Sequence, residues 1–151
     1  MNYLVIKKSV NMAKSNPLLI NALRETADRL TTGVKYEWGH MGRCNCGHLV
    51  QTITKMTDLE IVKSVDNELN EWTEHAREYC DTTQSKAQTL FDQLREIGFD
   101  YEDVIKLEYL SDKKVLNRLG SEGPLYLSNN NVEDVILYME TMAEILEEEK
   151  D

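Results

Sequence analysis

The chain has 151 residues, 41% hydrophobic and 29% charged, with 27 acidic against 17 basic side chains and a formal net charge of −10. That is the size of one domain able to bury a core without staples. Its acidity repels phosphate backbones and anionic lipid surfaces, which excludes nucleic acid and membrane as main partners.

No stretch approaches the roughly 20 apolar residues of a membrane span, and the apolar run within Met1–Lys8 is too short for a signal peptide. The three cysteines are an odd number, and Cys44 and Cys46 lie too close in sequence to bridge without strain. A disulfide framework is therefore not expected, and the reading is a soluble, cytoplasmic protein in a reducing compartment.

The short apolar segment from Tyr3 to Ile6 reads equally as a strand or an extended tail. Asn16-Pro17 then predicts a helix start, with asparagine capping and proline at the first helical position. The helix should run to Leu30, with Leu19, Leu23, Ala27 and Leu30 inward, Arg24, Glu25, Asp28 and Arg29 facing water, and Gly33 ending it. Val34 to Trp38 reads as an extended connector.

That connector leads into Tyr36-Glu37-Trp38-Gly39-His40-Met41-Gly42-Arg43-Cys44-Asn45-Cys46-Gly47-His48-Leu49, which holds two of the three cysteines, two of the three histidines and three of the seven glycines. His40, Cys44, Cys46 and His48 offer two sulfurs and two imidazole nitrogens, a set that suits zinc or iron. Their spacing is not that of a zinc finger, which spreads two ligand pairs over a longer loop. The neighbouring glycines suit a chain that wraps a ligand and equally one that merely turns tightly.

Two local geometries separate the possibilities. An extended chain from Gly42 to Gly47 points Cys44, Cys46 and His48 to one side, where one ion could sit beside them. A helix already begun at Asn45 or Cys46 instead extends the apolar stripe Leu49, Val50, Ile53 and Met56 back onto Cys46, making it a small buried hydrophobe. A third reading makes Cys46 a nucleophile, because the first turn of a helix lowers a thiol pKa.

The words Tyr36-Glu37-Trp38-Gly39 and Cys46-Gly47-His48-Leu49-Val50-Gln51 are similar to pieces of the NlpC/P60 cysteine peptidases. That resemblance implies a cysteine-bearing helix followed by a β-sheet supplying a base histidine. In this chain Asn45 stands where that family has an aspartate, and His40 where it has a second glycine. No downstream segment reads as sheet, and the only later histidine is His75, so the peptidase activity is not carried over.

Further along, Thr57-Asp58-Leu59-Glu60 is a capping box opening a helix with Ile61, Val62, Val65, Leu69 and Trp72 at helical spacing. Thr73 caps a shorter turn that carries His75, among acidic neighbours and read as solvated, and ends at Tyr79 and Cys80. Cys80 is the candidate fifth donor, since metal sites often draw ligands from two segments that folding brings together. Buried filler is its alternative role.

Ser85 opens the next helix, with Ala87, Leu90, Phe91, Leu94 and Ile97 inward and Gly98 as the stop. Asp100 begins another carrying Val104, Ile105, Leu107, Tyr109 and Leu110. Ser111-Asp112 begins a third, with Val115, Leu116 and Leu119 inward and Gly120 ending it. Gly120 to Asn131 is the longest loop, ending in a helix cap. The last helix shows Val132, Val135, Ile136, Met139, Met142, Ala143, Ile145 and Leu146 at helical period, with residues 147–151 expected to fray, as are residues 1–8.

These signals predict a single all-α, bundle-like domain of about six or seven helices, with the Gly/Cys/His-rich loop between the first two. The expected function is binding of zinc or iron through His40, Cys44, Cys46, His48 and Cys80, structural or catalytic. A helical protein-interaction module without metal is the first alternative, and a thiol-dependent hydrolase or redox protein using Cys46 the second. Either a protein partner or a small molecule fits this reading.

Overall fold

The computed structural model describes residues 13–64, 72, 88–120 and 127–149. Among them the fold is all α, with no strand: α1 Pro17–Thr31, α2 Asn45–Thr54, α3 Asp58–Ser64, α4 Gln88–Glu96, α5 Tyr101–Tyr109, α6 Lys113–Leu119 and α7 Val132–Glu148. The expectations for Tyr3–Ile6, His75, Cys80 and Ser85 fall outside the described residues.

Local chemistry explains most boundaries. Asn16 caps α1 by accepting the Leu18 amide (2.8 Å), Pro17 takes the first position, and Gly33 follows the helix at φ +87°. Thr57 and Glu60 exchange backbone bonds at the start of α3, Thr57 N to Glu60 Oε1 at 2.8 Å and Glu60 N to Thr57 Oγ1 at 3.1 Å. A second capping box joins Asp100 and Asp103 at α5, and Asn131 caps α7 through the amides of Glu133 and Asp134.

The core is built on α1 and α7, the pair that packs most extensively. Leu19, Leu23, Ala27 and Leu30 from α1 meet Val135, Tyr138, Met139, Met142 and Leu146 from α7, all buried. Each large apolar side chain among them contributes about 1.5–3 kcal/mol through removal from water. Around this pair lie Leu49 and Val50 of α2, Phe91 and Leu94 of α4, Val104 and Leu107 of α5, and Val115 of α6. Trp72 is fully buried, stacks edge-on against Phe91 at 5.6 Å between ring centroids, and donates its indole N–H to the Met41 carbonyl (2.7 Å).

One expectation needs correction. Arg29 does not face water; it is half-buried against α2. Tyr109 of α5 is 41% exposed and tilts against Trp38. Helix α7 runs to Glu148, with ion pairs from Arg24 to Glu147, Arg118 to Glu148 and Lys114 to Glu149 at its end, while residues 150 and 151 of the segment expected to fray lie outside the described residues. These cations offset the unfavourable placement of carboxylates at a helix C-terminus.

Candidate functional site

The turn between α1 and α2 is closed by its own backbone: Glu37 N bonds Arg43 O, His40 N bonds Glu37 O, and both Arg43 N and Cys44 N bond His40 O. Helix α2 begins at Asn45, so the extended geometry that would point Cys44, Cys46 and His48 to one side is not adopted. The helical alternative holds, and it sends the four expected donors to different tasks.

Cys44 is the N-cap of α2, its sulfur accepting the Gly47 amide at 3.4 Å. Cys46, in the first turn of α2, donates its thiol to the Val104 carbonyl of α5 at 3.3 Å. His40 accepts the Gly42 amide at Nδ1 (3.1 Å). His48 donates from Nε2 to the Lys35 carbonyl (2.7 Å), which leaves Nδ1 as an acceptor facing Arg29 at 3.4 Å. Cys80 lies outside the described residues, and among those described no three His, Cys, Asp or Glu side chains are placed to share an ion.

The electrostatics of the thiols follow from burial. Both are pushed up well above the usual cysteine value, first by loss of solvent and then by the Glu108 carboxylate. Glu108 Oε1 accepts the Cys46 amide at 2.7 Å, so a carboxylate already occupies the positive end of α2 that would otherwise favour a thiolate. Metal ligation and nucleophilic attack both need the thiolate, and this environment favours the thiol.

The glycines have a packing reason. A methyl group on Gly42 would overlap the backbone of Asp58, and one on Gly47 would overlap Met41 and Gly42. The turn therefore lies in backbone contact with both the first turn of α2 and the start of α3.

Asn45 is a key residue that sequence reasoning missed. Fully buried, it donates Nδ2 to the carbonyls of Leu107 (3.1 Å), Glu108 (3.1 Å) and Asn129 (3.2 Å), while its Oδ1 accepts the Tyr36 hydroxyl. The carbonyls of Leu107 and Glu108 lie in the last turn of α5, where carbonyls lack a regular helical partner.

On the other side of α2 lies an open cleft of about 540 Å3, walled by α1, α2 and the start of α3. Arg29 reaches across it from α1. Its Nη1 donates to Thr52 Oγ1 (2.8 Å) and the His48 carbonyl (3.2 Å), and its Nη2 donates to Gln51 Oε1 (2.8 Å) and faces His48 Nδ1. Burial is the main reason that His48 is pushed down to about 4, and the Arg29 charge adds to it, so the ring is neutral and able to accept. The rim carries Lys35, Lys55, Glu25 and Asp58. Lys55 pairs with Glu25 (3.5 Å), and Asp58 pairs with Arg43, whose guanidinium holds its carboxyl below the usual range.

Comparison of the chain with protein-family models, with curated proteins and with solved structures finds no match in any of the three.

Proposed function

We propose that the protein works by binding a small molecule in the cleft between α1, α2 and α3, and that the cysteine and histidine turn is the clasp that builds the cleft. The observation that carries this reading is the cleft itself, about 540 Å3 in volume and lined by Arg29, Gln51 and Thr52 from two packed helices. Ligand sites commonly occupy about 300–1,000 Å3 and place a few polar groups on a preformed wall. Polar groups fixed by neighbours on helices hold a ligand geometry better than groups on loops.

The Cys/His turn supports this role by its connections. His48 and Gln51 each join the turn to the wall, His48 through Lys35 and Gln51 through the Gly42 carbonyl. Zinc or iron uptake at Cys44 and Cys46 is a separate proposal, and it needs both thiols to ionise against their surroundings.

A fragment screen followed by backbone amide shifts in 15N-labelled protein tests the reading. Hits should move the amides of Lys35, Gln51, Thr52 and Lys55 in a saturable way while leaving Val135 and Met139 still. Hits that cluster instead on the smaller groove of about 250 Å3 beside Leu18, Ile53 and Ile97 would overturn it.

A further inference from the structure

We propose that the occupant of this cleft is a small oxyanion, a carboxylate or phosphate group held by Arg29 and Lys35, an inference that rests on the cleft being the binding site. Charge balance within the cleft points to it. Of the charged groups lining it, Lys55 and Glu25 face each other and Asp58 is taken by Arg43. Arg29 is different, because every acceptor on it is neutral: a hydroxyl, a side-chain amide, a backbone carbonyl and an uncharged imidazole. Among the described residues no carboxylate pairs with Arg29 or with Lys35.

A half-buried guanidinium normally sits beside a counter-charge, since removing a cation from water is costly without one. Two of the chain's 27 acidic residues, Glu25 and Asp58, line the cleft, but their ion pairs are with Lys55 and Arg43 and not with Arg29. Four Arg29 N–H groups are engaged by the wall, which fixes the plane of the guanidinium, and among the described residues its Nε–H has no bond to the wall. His48 adds to the preference. With Nε2–H committed to Lys35 and Nδ1 turned to Arg29, the ring stays neutral and does not compete for the anion, while the Arg29 charge remains uncancelled. An oxyanion suits this cation through the remaining Nε–H and the uncancelled guanidinium charge, and the flexible ammonium of Lys35 can close over it from the rim.

The experiment titrates 15N-labelled protein with sodium phosphate and separately with sodium acetate, against sodium chloride at equal ionic strength. The expected result is a saturable shift of the Lys35, Gln51, Thr52 and Lys55 amides with at least one oxyanion and not with chloride. The two arms distinguish phosphate from carboxylate. Arg29→Gln should weaken the response by about tenfold or more, the worth of one charge-assisted contact. Because Arg29 also ties α1 to α2, Lys35→Glu is the parallel variant; its side chain is exposed, and it too should weaken binding.

Shifts that survive both variants unchanged, or no saturable shift with either oxyanion, would overturn the anionic assignment. If uncharged fragments still titrate the same amides in that case, the cleft remains the binding site and only the ligand class is wrong. If they do not, both readings fall.

Discussion

Asn45 and Glu108 secure each other's helices: the Asn45 amide donates to the Glu108 carbonyl at 3.1 Å, and the Glu108 carboxylate accepts the amide of Cys46, the residue after Asn45, at 2.7 Å. The first closes the C-terminus of α5 and the second closes the N-terminus of α2. Asn45→Ala takes the side-chain donor from the Glu108 carbonyl, while the Leu107 and Asn129 carbonyls keep the Leu110 amide and the Tyr36 hydroxyl, and should cost about 2 kcal/mol. Urea unfolding measures it, and a loss below about 1 kcal/mol would show that the reciprocal pair is incidental.

The close-packed glycine Gly47 should respond differently from Gly33. Gly47→Ala pushes a methyl into backbone that cannot rotate away, so a loss of about 3 kcal/mol or an insoluble product is expected. Gly33 has open space around its missing Cβ but a φ of +87°, so Gly33→Ala should cost only about 1 kcal/mol. Equal losses at the two positions would remove the close-approach explanation.

Two buried groups give the stability profile opposing slopes between pH 4 and 7. Burial pushes Asp103 up to about 7. The folded state then holds a proton that the unfolded chain has released, so this contribution is complete below about 3.8 and is lost as pH rises to about 7. Burial pushes His48 down from 6.5 to about 4, so its contribution is complete above 6.5 and is lost as pH falls towards 4. Asp103→Asn keeps an oxygen for the Asp100 amide and removes the ionisation. Thermal melts from pH 4 to 8 should show this variant gaining on the parent by a few kcal/mol as pH approaches 8, because each tenfold difference in proton affinity between folded and unfolded chain is worth about 1.4 kcal/mol. A constant offset at all pH values would refute the assignment.

Cys44 and Cys46 should behave as cap and core. Cys44→Ser keeps an acceptor at an N-cap position where serine is favoured, so stability should change by less than about 1 kcal/mol. Protein prepared without an affinity tag should carry less than about a tenth of an equivalent of zinc or iron, and a chelator should leave its melting temperature unmoved. Stoichiometric metal, or melting that falls with chelator, would place ligands on the thiols after all.

Most of the fold was legible in the chain because helix ends and stripes are written within a few residues. Asn16-Pro17, the Thr57 and Glu60 box, Asn131 and the α7 stripe all act on neighbours at most a few positions away. The site was not legible for the opposite reason. Asn45 meets carbonyls 62 to 84 positions away, and nothing around it marks that role. Arg29 lies among Arg24, Glu25 and Asp28, which are exposed, and only the placement of α2 turns it inward. The density of sulfur and imidazole in the turn was real, but whether such groups converge on one ion depends on where the helix starts. Cys44 capping α2 fixes that start.

The indole of Trp72 fastened to the Met41 carbonyl gives the molecule a built-in optical gauge. Trp72 and Trp38 are its only tryptophans; the first is sealed beside Phe91, while the second is half-exposed against Tyr109. Blue emission should therefore come from the residue that grips the turn and redder emission from the one at the surface, so undocking of the turn would be visible as a colour change before the helices themselves melt.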